Sequence, residues 1–280
     1  MTASAAESSI PLLELLDGHR IPQLGFGVFQ VPPEEATEVV LAALRTGYTS
    51  IDTAAAYDNE REVGEALRRS GAHREDVFVT TKLWNNAQGR ETARRALEAS
   101  LERLGLDSVD LYLIHWPAPQ QDRYLETWET LCELKAEGRA RSIGVSNFLV
   151  EHLERIIEAT GEVPVLNQIE LHPRLQQREL REYHQERGIL TEAWSPLGRG
   201  KLLEDPVIGE VADAVGRSAA QVILRWHVQL GNVVIPKSIT PARIEENFRI
   251  FDFELTGEQM QAIQSLDAGK RTGPDPATFG

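Results

Sequence analysis

The feature that most constrains this chain is the regular alternation of short apolar segments with one-sided helical segments. Eight short segments, most of them rich in β-branched residues, predict strands that are buried on both faces. Strands that alternate with helices are expected to be parallel and joined by right-handed crossovers. The predicted strands cover residues 25–28, 49–53, 77–81, 109–114, 141–145, 164–168, 189–194 and 232–235.

Helical patterns fill the gaps between these segments. In residues 91–104, Ala93, Leu97 and Leu101 share one face while the nearby charged residues lie elsewhere, as expected for a helix packed on a sheet. The pattern permits an open doubly wound sheet or a closed barrel, but eight units in 280 residues favour a (β/α)8 TIM barrel, which typically needs roughly 250 residues. The predicted helices cover residues 34–45, 60–69, 91–104, 124–136, 149–158, 178–186, 205–215, 218–229 and 257–266.

A short N-terminal β-hairpin is predicted before the barrel, with Asp17 and Gly18 at its turn, because this pair tolerates the positive φ angles of a tight turn. We expect the hairpin to close the bottom of the barrel. No linker, low-complexity stretch or block of charge marks a boundary, so residues 1–280 are predicted to form one domain. The tail at 269–280 is rich in glycine and proline and is predicted to be irregular.

Composition argues against several classes of partner and compartment. The formal net charge of −14 disfavours nucleic acid or an anionic membrane surface as a partner. The single cysteine, Cys132, cannot form an intrachain disulfide and is predicted to be a small apolar side chain in a helix, which fits a reducing compartment. The N-terminus has no basic stretch followed by an apolar one, and no apolar run approaches the ~18 residues of a membrane span. We therefore predict a cytoplasmic protein.

Four polar residues fall at or after the ends of three successive predicted strands. Asp52 and Lys82 lie at the ends of two of them, His115 ends the third, and Tyr57 lies in the loop after Asp52. Active sites of (β/α)8 barrels lie at the carboxyl ends of the strands, so these side chains are expected to converge. Each also has a structural interpretation, since Asp52 could cap a helix, Tyr57 could be a loop aromatic, and the other two could each pair locally.

The chemistry of these four groups is complementary. A tyrosine with a pKa of about 10 is a weak acid at neutral pH, but a nearby ammonium lowers that pKa. A carboxylate can hold the lysine charged, and an imidazole can donate a hydrogen bond to a carbonyl oxygen. The set therefore predicts protonation of an oxygen that becomes alkoxide-like as hydride arrives.

A second cluster follows the last predicted strand, where Lys237, Ser238 and Arg243 lie close together in the sequence. Pro241 suits the first turn of a helix, backbone N–H groups there attract anions, and Arg243 can hold a phosphate in a fork. The cluster predicts a phosphate site, with a solvated basic helix start as the alternative. The seven histidines show no ligand-like spacing, so no metal site is predicted.

Several segments together carry a family signature. In their order and spacing they resemble the aldo-keto reductase superfamily over nearly the whole chain, nearest to the prokaryotic branch that contains 2,5-diketo-D-gluconate reductases. The resemblance implies a monomeric (β/α)8 barrel that reduces carbonyl compounds with NADPH. The segments are LGFGVFQV at 24–31, IDTAAAYDNEREVGEAL at 51–67, TTKLWN at 80–85, DLYLIHWP at 110–117, RSIGVSNF at 141–148, NQIELHP at 167–173, WSPLGRGKLL at 194–203 and IPKSITPARIEENF at 235–248.

The resemblance implies a role for each member of the catalytic set. Tyr57 would be the general acid in reduction, and Lys82 would lower its pKa. Asp52 would hold Lys82 in place. His115 would orient the substrate carbonyl.

The resemblance also implies contacts with the cofactor. The nicotinamide ring would stack on Trp194, and its carboxamide would meet Ser146, Asn147 and Gln168. The adenosine 2′-phosphate would meet the cluster after the last strand, with the adenine beside the helix that follows. The full set of implied cofactor-binding residues is Gly27, Asp52, Ser146, Asn147, Gln168, Trp194, Ser195, Leu197, Lys237, Ser238, Arg243, Glu246 and Asn247.

The substrate side is predicted from position in the chain. Phe29, Trp84 and Trp116 lie just beyond the first, third and fourth strands and, with His115, are predicted to form an apolar mouth. Trp84 alone could equally pack on the barrel rim. Arg271 in the tail could meet a substrate carboxylate. The predicted reaction is NADPH-dependent reduction of sugar-derived, dicarbonyl or keto-acid compounds to alcohols.

Two other functions stay open at this point. The same fold could hold a Schiff-base aldolase in which Lys82 is the nucleophile, or a nucleotide-binding redox sensor. The phosphate cluster speaks against the aldolase. The presence of all four polar residues speaks against the sensor.

Overall fold

All eight predicted strands are present and follow one another around a single sheet in chain order. In this computed structural model, which describes residues 10–280, neighbouring strands of the sheet pair in parallel. Two further strands form the hairpin, β1 (Leu12–Glu14) and β2 (Arg20–Pro22). The sheet contains β3 (Phe26–Gly27), β4 (Ser50–Asp52), β5 (Phe78–Leu83), β6 (Val109–Ile114), β7 (Ala140–Ser146), β8 (Leu166–Glu170), β9 (Leu190–Trp194) and β10 (Val233–Val234).

The ring of strands closes between its first and last members. Leu24 forms a parallel bridge with Val234, and the amide of Gly27 donates to the Pro236 carbonyl at 3.1 Å. A Cβ at Gly27 would lie 3.3 Å from the carbonyl oxygen of Ile235, so glycine permits this close approach of two backbones. The closed barrel is therefore confirmed over the open sheet.

Helices cover the outside of the ring and bury their apolar faces against it. In α3, Ala93, Leu97 and Leu101 are buried while Glu98 is exposed, which confirms the one-sided pattern. The helices are α1 (Pro33–Thr46), α2 (Glu60–Ser70), α3 (Arg90–Leu104), α4 (Tyr124–Ala136), α5 (Val150–Thr160), α6 (Arg178–Arg187), α7 (Pro206–Val215), α8 (Ala219–Gln229), α9 (Pro241–Phe248) and α10 (Gly257–Gln264).

Helix α9 is absent from the predicted helical segments, although Pro241 indicated where it would begin. Over its 8 residues the polar Arg243, Glu245, Glu246 and Asn247 flank Ile244, so no apolar stripe stands out in the sequence. Only Ile244 and Asn247 of this helix are buried. The helix therefore lies on the barrel with most of its surface facing away from it.

The hairpin closes the bottom of the barrel, as predicted. Leu15 and Ile21 are buried in a cluster with Leu111, Leu113 and Val165. These side chains fill the amino-terminal end of the ring with apolar material. Asp52, Lys82 and His115 lie at the opposite, carboxyl end of the strands.

Cys132 on α4 is half-buried against the core, and burial raises the pKa of its thiol to about 11, as suits a small apolar side chain. Within residues 10–280 no helix is long and apolar enough to cross a membrane. In the same range no His, Cys, Asp and Glu side chains form a group of three or more that could hold a metal ion. The prediction of no leader sequence depends partly on residues 1–9, which lie outside the described range.

Candidate active site at the carboxyl ends of the strands

Lys82 lies at the centre of a polar cluster at the carboxyl end of the barrel. It is fully buried, and its ammonium donates to Asp52 Oδ1 at 2.6 Å and to the Thr53 carbonyl at 2.8 Å. It also donates to the Tyr57 hydroxyl at 3.3 Å. An ammonium has three donors, so every one of them is used and the head group is fixed in place.

The strands explain why these side chains meet. Asp52 ends β4 in register with Thr80 of β5, and Lys82 lies two residues further along. Residues two apart on a strand point to the same face, so both side chains reach the inside of the ring. His115 follows β6, which neighbours β5. The predicted convergence of side chains from three successive strands is therefore observed.

Tyr57 lies on a loop that is itself held by hydrogen bonds. It ends a single 3₁₀ turn at Ala55–Tyr57, just before Asn59. The amide of the buried Asn59 side chain donates to the Val28 carbonyl at 3.0 Å, and its oxygen accepts from the Thr53 hydroxyl at 2.8 Å. These bonds tie the loop to the ends of two strands, so the phenol is held over Lys82.

Burial and charge act in opposite directions on this cluster. Burial alone would lower the pKa of Lys82, but the Asp52 carboxylate and the Tyr57 phenol raise it above its ordinary value. Burial raises the pKa of Tyr57 to about 12, and the Lys82 ammonium offsets part of that rise. Lys82 lowers the pKa of Tyr57, as predicted, but burial raises it by more, so the net pKa lies above the ordinary value. The phenol therefore stays protonated at neutral pH, which is the state that a proton donor needs.

His115 is neutral at physiological pH. Burial, with a further contribution from Lys82, lowers its pKa well below the ordinary value. Its ring lies edge-on to Tyr57 at 5.5 Å and to Trp84 at 5.1 Å between centroids. A neutral imidazole carries one N–H, so His115 can donate a hydrogen bond to an oxygen in the mouth without adding a second positive charge beside Lys82.

The residues implied for the carboxamide form a connected group on β7, β8 and β9. Asn147 adopts a left-handed backbone conformation with φ of 62°, and its side-chain amide donates to Ser146 Oγ at 3.0 Å. Ser146 Oγ donates to the Gln168 carbonyl at 2.8 Å. The Trp194 indole N–H donates to Asn147 Oδ1 at 2.8 Å, so the ring implied as the nicotinamide platform is anchored to the same group.

Sequence reasoning missed Glu192, a buried acid in this group. The amide nitrogen of Gln168 donates to Glu192 Oε2 at 2.7 Å and also to Asp52 Oδ2 at 2.9 Å. One side-chain amide thereby joins two carboxyl groups. The available signal was a glutamate within the short run LTEAW, where a strand buried on both faces should be apolar.

The cluster predicted to bind phosphate is open to solvent. Lys237 and Arg243 are exposed, and neither has an acidic group within 4.0 Å in the part of the chain that the structure describes. Ser238 is buried, and its hydroxyl accepts from the Thr240 amide at 3.1 Å. A side-chain hydrogen bond therefore holds the loop that precedes α9, while Lys237 and Arg243 are available to a ligand.

The other residues implied for the cofactor lie on neighbouring parts of the rim. Ser195 follows β9 in a left-handed conformation with φ of 48°, and Leu197 is half-buried in the same loop. Glu246 is half-buried and Asn247 buried on α9. Gly27 lies against the backbone of Ile235 and Pro236, just after β10, where the barrel closes. Their contacts with a cofactor stay predictions.

The aromatic side chains predicted to form a mouth lie around Tyr57, His115 and Trp194. Phe29 contacts Tyr57 with ring centroids 5.1 Å apart, and Trp84 lies edge-on to the His115 ring. Trp116 lies 6.4 Å from Trp194. The three predicted substrate-side aromatics therefore border the phenol, the imidazole and the indole platform.

The C-terminal tail contributes to this mouth in a way that the sequence did not reveal. It is irregular, as predicted, yet the Phe279 ring lies 4.6 Å from Trp116 and 6.3 Å from Trp84. Arg271 donates to Gln177 Oε1 at 3.4 Å. Its other terminal nitrogen lies 4.0 Å from Glu170 Oε2, so two contacts within the chain engage the guanidinium, and a role toward a substrate carboxylate stays a prediction.

A buried carboxylate holds the tail. The side chain of Glu170, at the end of β8, is fully buried and accepts from the Thr272 amide and hydroxyl, each at 2.6 Å, and from the Gly273 amide at 3.1 Å. Burial alone would raise the pKa of Glu170, but hydrogen bonds from His172, Thr272 and Gly273 lower it to about 2. The carboxylate is therefore ionised at all ordinary pH values and anchors the tail beside Trp194.

Comparison with known proteins gives a consistent result over nearly the whole chain. The model of the aldo/keto reductase family matches residues 23–268. An aldo-keto reductase of Mycolicibacterium smegmatis is 56% identical over 269 residues, covering 96% of this chain and 98% of the relative. The methylglyoxal reductase DkgA of Escherichia coli is 50% identical over 271 residues, with 96% and 98% covered.

Solved structures show the same similarity in three dimensions. A substituted form of Gox0644 in complex with NADPH superposes with a TM-score of 0.94 at 50% identity, covering 97% of this chain and 99% of that one. An aldo-keto reductase of Bombyx mori in complex with NADP superposes with a TM-score of 0.88 at 37% identity, with 94% of each chain covered.

Proposed function

The chain belongs to the aldo/keto reductase family, and from this premise we propose that it reduces sugar-derived, dicarbonyl or keto-acid carbonyl compounds with NADPH, using Tyr57 as the proton donor. The observation that carries the proposal is the Lys82 ammonium, which is buried between the Asp52 carboxylate and the Tyr57 hydroxyl. This arrangement places a protonated phenol beside a fixed positive charge. It suits the delivery of one proton to an oxygen that is gaining negative charge.

The residues implied for the cofactor fit its two ends. Both N–H groups of the Gln168 side chain face carboxyl oxygens, which leaves its Oε1 to accept from a carboxamide. Trp194 offers an anchored aromatic ring for a nicotinamide. Lys237 and Arg243 offer exposed cations that suit the 2′-phosphate of NADPH.

The roles of the catalytic set follow from their protonation states. NADPH, when bound, supplies a hydride. The Tyr57 hydroxyl gives its proton to the carbonyl oxygen, and Lys82 stabilises the phenolate that remains. Asp52 balances the charge of Lys82 in the barrel interior. The neutral His115 donates a hydrogen bond that fixes the direction of the carbonyl group.

The aromatic mouth supports a small substrate. Phe29, Trp84, Trp116 and Phe279 border the catalytic groups, so a flat or partly apolar carbonyl compound can pack between them. The relatives named methylglyoxal reductase act on a small dicarbonyl compound by name. Their similarity to this chain supports dicarbonyl compounds as its substrates over sugar-derived compounds and keto acids.

The state of Lys82 argues against the aldolase alternative. A Schiff base requires a neutral amine that can approach the substrate. Lys82 instead donates three hydrogen bonds, and its pKa is raised by Asp52 and Tyr57 despite burial. We therefore expect borohydride to trap no adduct on Lys82 with any carbonyl compound that the protein reduces.

The proposal is tested by following NADPH oxidation with a panel of aldehydes, α-keto acids, dicarbonyls and diketo sugars. Tyr57→Phe should lose about 100-fold to 10 000-fold in kcat and keep its Kd for NADPH. Tyr183→Phe is the matched control, because it removes a hydroxyl from α6 on the outside of the barrel. A Tyr57→Phe variant with wild-type kcat, or a wild-type protein that binds NADPH but oxidises it with no compound, contradicts the proposal.

A further inference from the structure

Glu192 is a buried carboxyl group to which the proposed reaction assigns no role. It lies on β9 two residues before Trp194 and is 1% exposed. Through the Gln168 amide it is joined to Asp52. Two acids therefore share one side-chain amide close to the proposed nicotinamide platform.

The buried ion pair beside Glu192 is complete without it. Lys82 is the cation of the barrel interior, and it forms its ion pair with Asp52 at 2.6 Å. In residues 10–280 no cationic group lies within 4.0 Å of Glu192. On the other side, β10 places the apolar Val233 in register with Glu192. The carboxyl is therefore left without a positive partner of its own.

The other titratable groups nearby do not supply that partner. Burial lowers the pKa of His115, so its imidazole is neutral, and the Tyr57 phenol stays protonated. Burial and then the Asp52 charge raise the pKa of Glu192 well above that of an exposed glutamate, while Gln168 and Lys82 oppose the rise. A positive charge arriving nearby would favour the ionised carboxylate.

We propose that Glu192 is the countercharge of the oxidised cofactor, so that its ionised form favours binding of the positively charged nicotinamide of NADP+ over the neutral ring of NADPH. The inference rests on the proposed function, since it takes the carboxamide to bind at Gln168 and the ring to stack on Trp194. Glu192 and Trp194 are two residues apart on β9 and point to the same face of the strand. Their Cα atoms are about 7 Å apart, so a ring stacked on Trp194 would lie within the range over which charges interact inside a protein. Glu192 touches no cofactor atom in this proposal, so it is a positioning residue that acts through charge.

Ionisation of Glu192 and binding of NADP+ are thermodynamically linked, so the proposal can be tested through the pH dependence of cofactor binding. If ionised Glu192 favours NADP+, then binding of NADP+ must in turn favour ionisation of Glu192 by the same factor. The affinity for NADP+ relative to NADPH should therefore rise with pH. Titration of the 2′-phosphate is common to the two cofactors and cancels in the ratio of their dissociation constants.

The test is to measure Kd for NADP+ and for NADPH between about pH 6 and pH 9 by quenching of intrinsic tryptophan fluorescence. In the wild type we expect the ratio of Kd for NADP+ to Kd for NADPH to fall about tenfold over this range. In Glu192→Gln and Glu192→Leu the ratio should be flat. Glu186→Gln is the control, because it removes the same charge from an exposed position on α6 and should keep the wild-type profile.

The two substitutions separate charge from hydrogen bonding. Glu192→Gln removes the charge but keeps the shape of the side chain and an acceptor for the Gln168 amide, whereas Glu192→Leu removes both the charge and the acceptor. A flat ratio in both variants supports the proposal. It is overturned if the ratio is flat in the wild type, if Glu192→Gln keeps the wild-type pH dependence, or if both dissociation constants merely rise together. A wild-type protein that binds neither cofactor would instead refute the proposed function itself.

Discussion

The two ends of the proposed cofactor site are built in opposite ways. At the proton-transfer end, Asp52, Lys82 and Gln168 are buried on three strands and joined by hydrogen bonds. At the phosphate end, Lys237 and Arg243 are exposed on a loop and a short helix. The first end is organised before any ligand arrives, whereas the second presents charges for a ligand to meet. Proton transfer needs a geometry that is fixed in advance, whereas exposed lysine and arginine side chains can adjust to a phosphate as it binds.

The largest effect should follow from removing the buried ion pair at the proton-transfer end, which is the buried end of the site. Lys82→Met removes the ammonium and leaves the Asp52 carboxylate buried without its partner. We expect kcat to fall about a thousandfold and the free energy of unfolding to fall by about 3–5 kcal/mol, since an uncompensated buried charge is costly. Steady-state kinetics and urea unfolding measure the two losses on the same preparation.

A double variant separates the two losses. Asp52→Asn with Lys82→Met removes both charges, so most of the stability should return while kcat stays low. If the double variant is as unstable as Lys82→Met alone, the cost does not come from the unpaired carboxylate. The buried end would then owe its stability to packing, and the contrast with the exposed end would lose its electrostatic basis.

A smaller effect, confined to binding, should follow at the exposed end. Arg243→Ala removes a charged hydrogen-bond donor that is worth roughly 1.5–3 kcal/mol, so KM for NADPH should rise by about tenfold or more. We expect kcat, the KM for NADH and the free energy of unfolding to stay near their wild-type values. Kinetics with both cofactors give the change in preference directly.

Arg249→Ala is the matched control for this variant. Arg249 caps the carboxyl end of the same helix and is exposed beside Glu245. Its removal should leave both KM values unchanged. An equal rise of KM for NADPH and NADH in Arg243→Ala would show that Arg243 contributes something other than recognition of the 2′-phosphate.

The difference between the two ends also explains what the sequence could predict. Lys82 and His115 were found because strands buried on both faces have clear ends, and chemistry in a barrel lies at those ends. The cluster proposed to bind phosphate could be predicted because its residues are close in the chain. Glu192 was missed because it lies inside β9, and the pairing of β8 with β9, which no local spacing shows, brings it beside Gln168.

Contacts between distant parts of the chain were missed for the same reason. Glu170 and Thr272 are separated by 102 positions, and nothing local in the glycine- and proline-rich tail indicated that a strand end would hold it. The same tail also brings Phe279 into contact with Trp116. Periodicity identifies elements and their faces, but it carries no information on which loop covers which strand end.

The C-terminal tail is irregular, yet a buried carboxylate holds it as hydrogen bonds hold the buried end of the site. In the folded protein, hydrogen bonds outweigh burial and lower the pKa of Glu170 to about 2, against about 4.3 for an unfolded glutamate. A group whose pKa is lower in the folded state stabilises the fold above its unfolded pKa, and that stabilisation is lost as the pH falls through the folded value. We expect the Glu170 contribution to be constant at neutral pH and to disappear between about pH 4 and pH 2.

The smallest effect should therefore come from loosening the tail. Glu170→Gln keeps the size of the side chain but weakens its hydrogen bonds to Thr272 and Gly273, so amides of 271–280 should exchange with solvent faster, and KM for the carbonyl substrate should change by about threefold to tenfold. Gly273→Ala should act in the same direction by a different route, since a Cβ there would collide with the Trp194 ring. Glu179→Gln, exposed on α6, is the control for the lost charge. If both tail variants exchange as slowly as the wild type, Glu170 is not the anchor. If they exchange faster with no change in KM for the substrate, Glu170 anchors the tail in the wild type, but the tail is not part of the mouth. The mouth would then be formed by the strand ends alone.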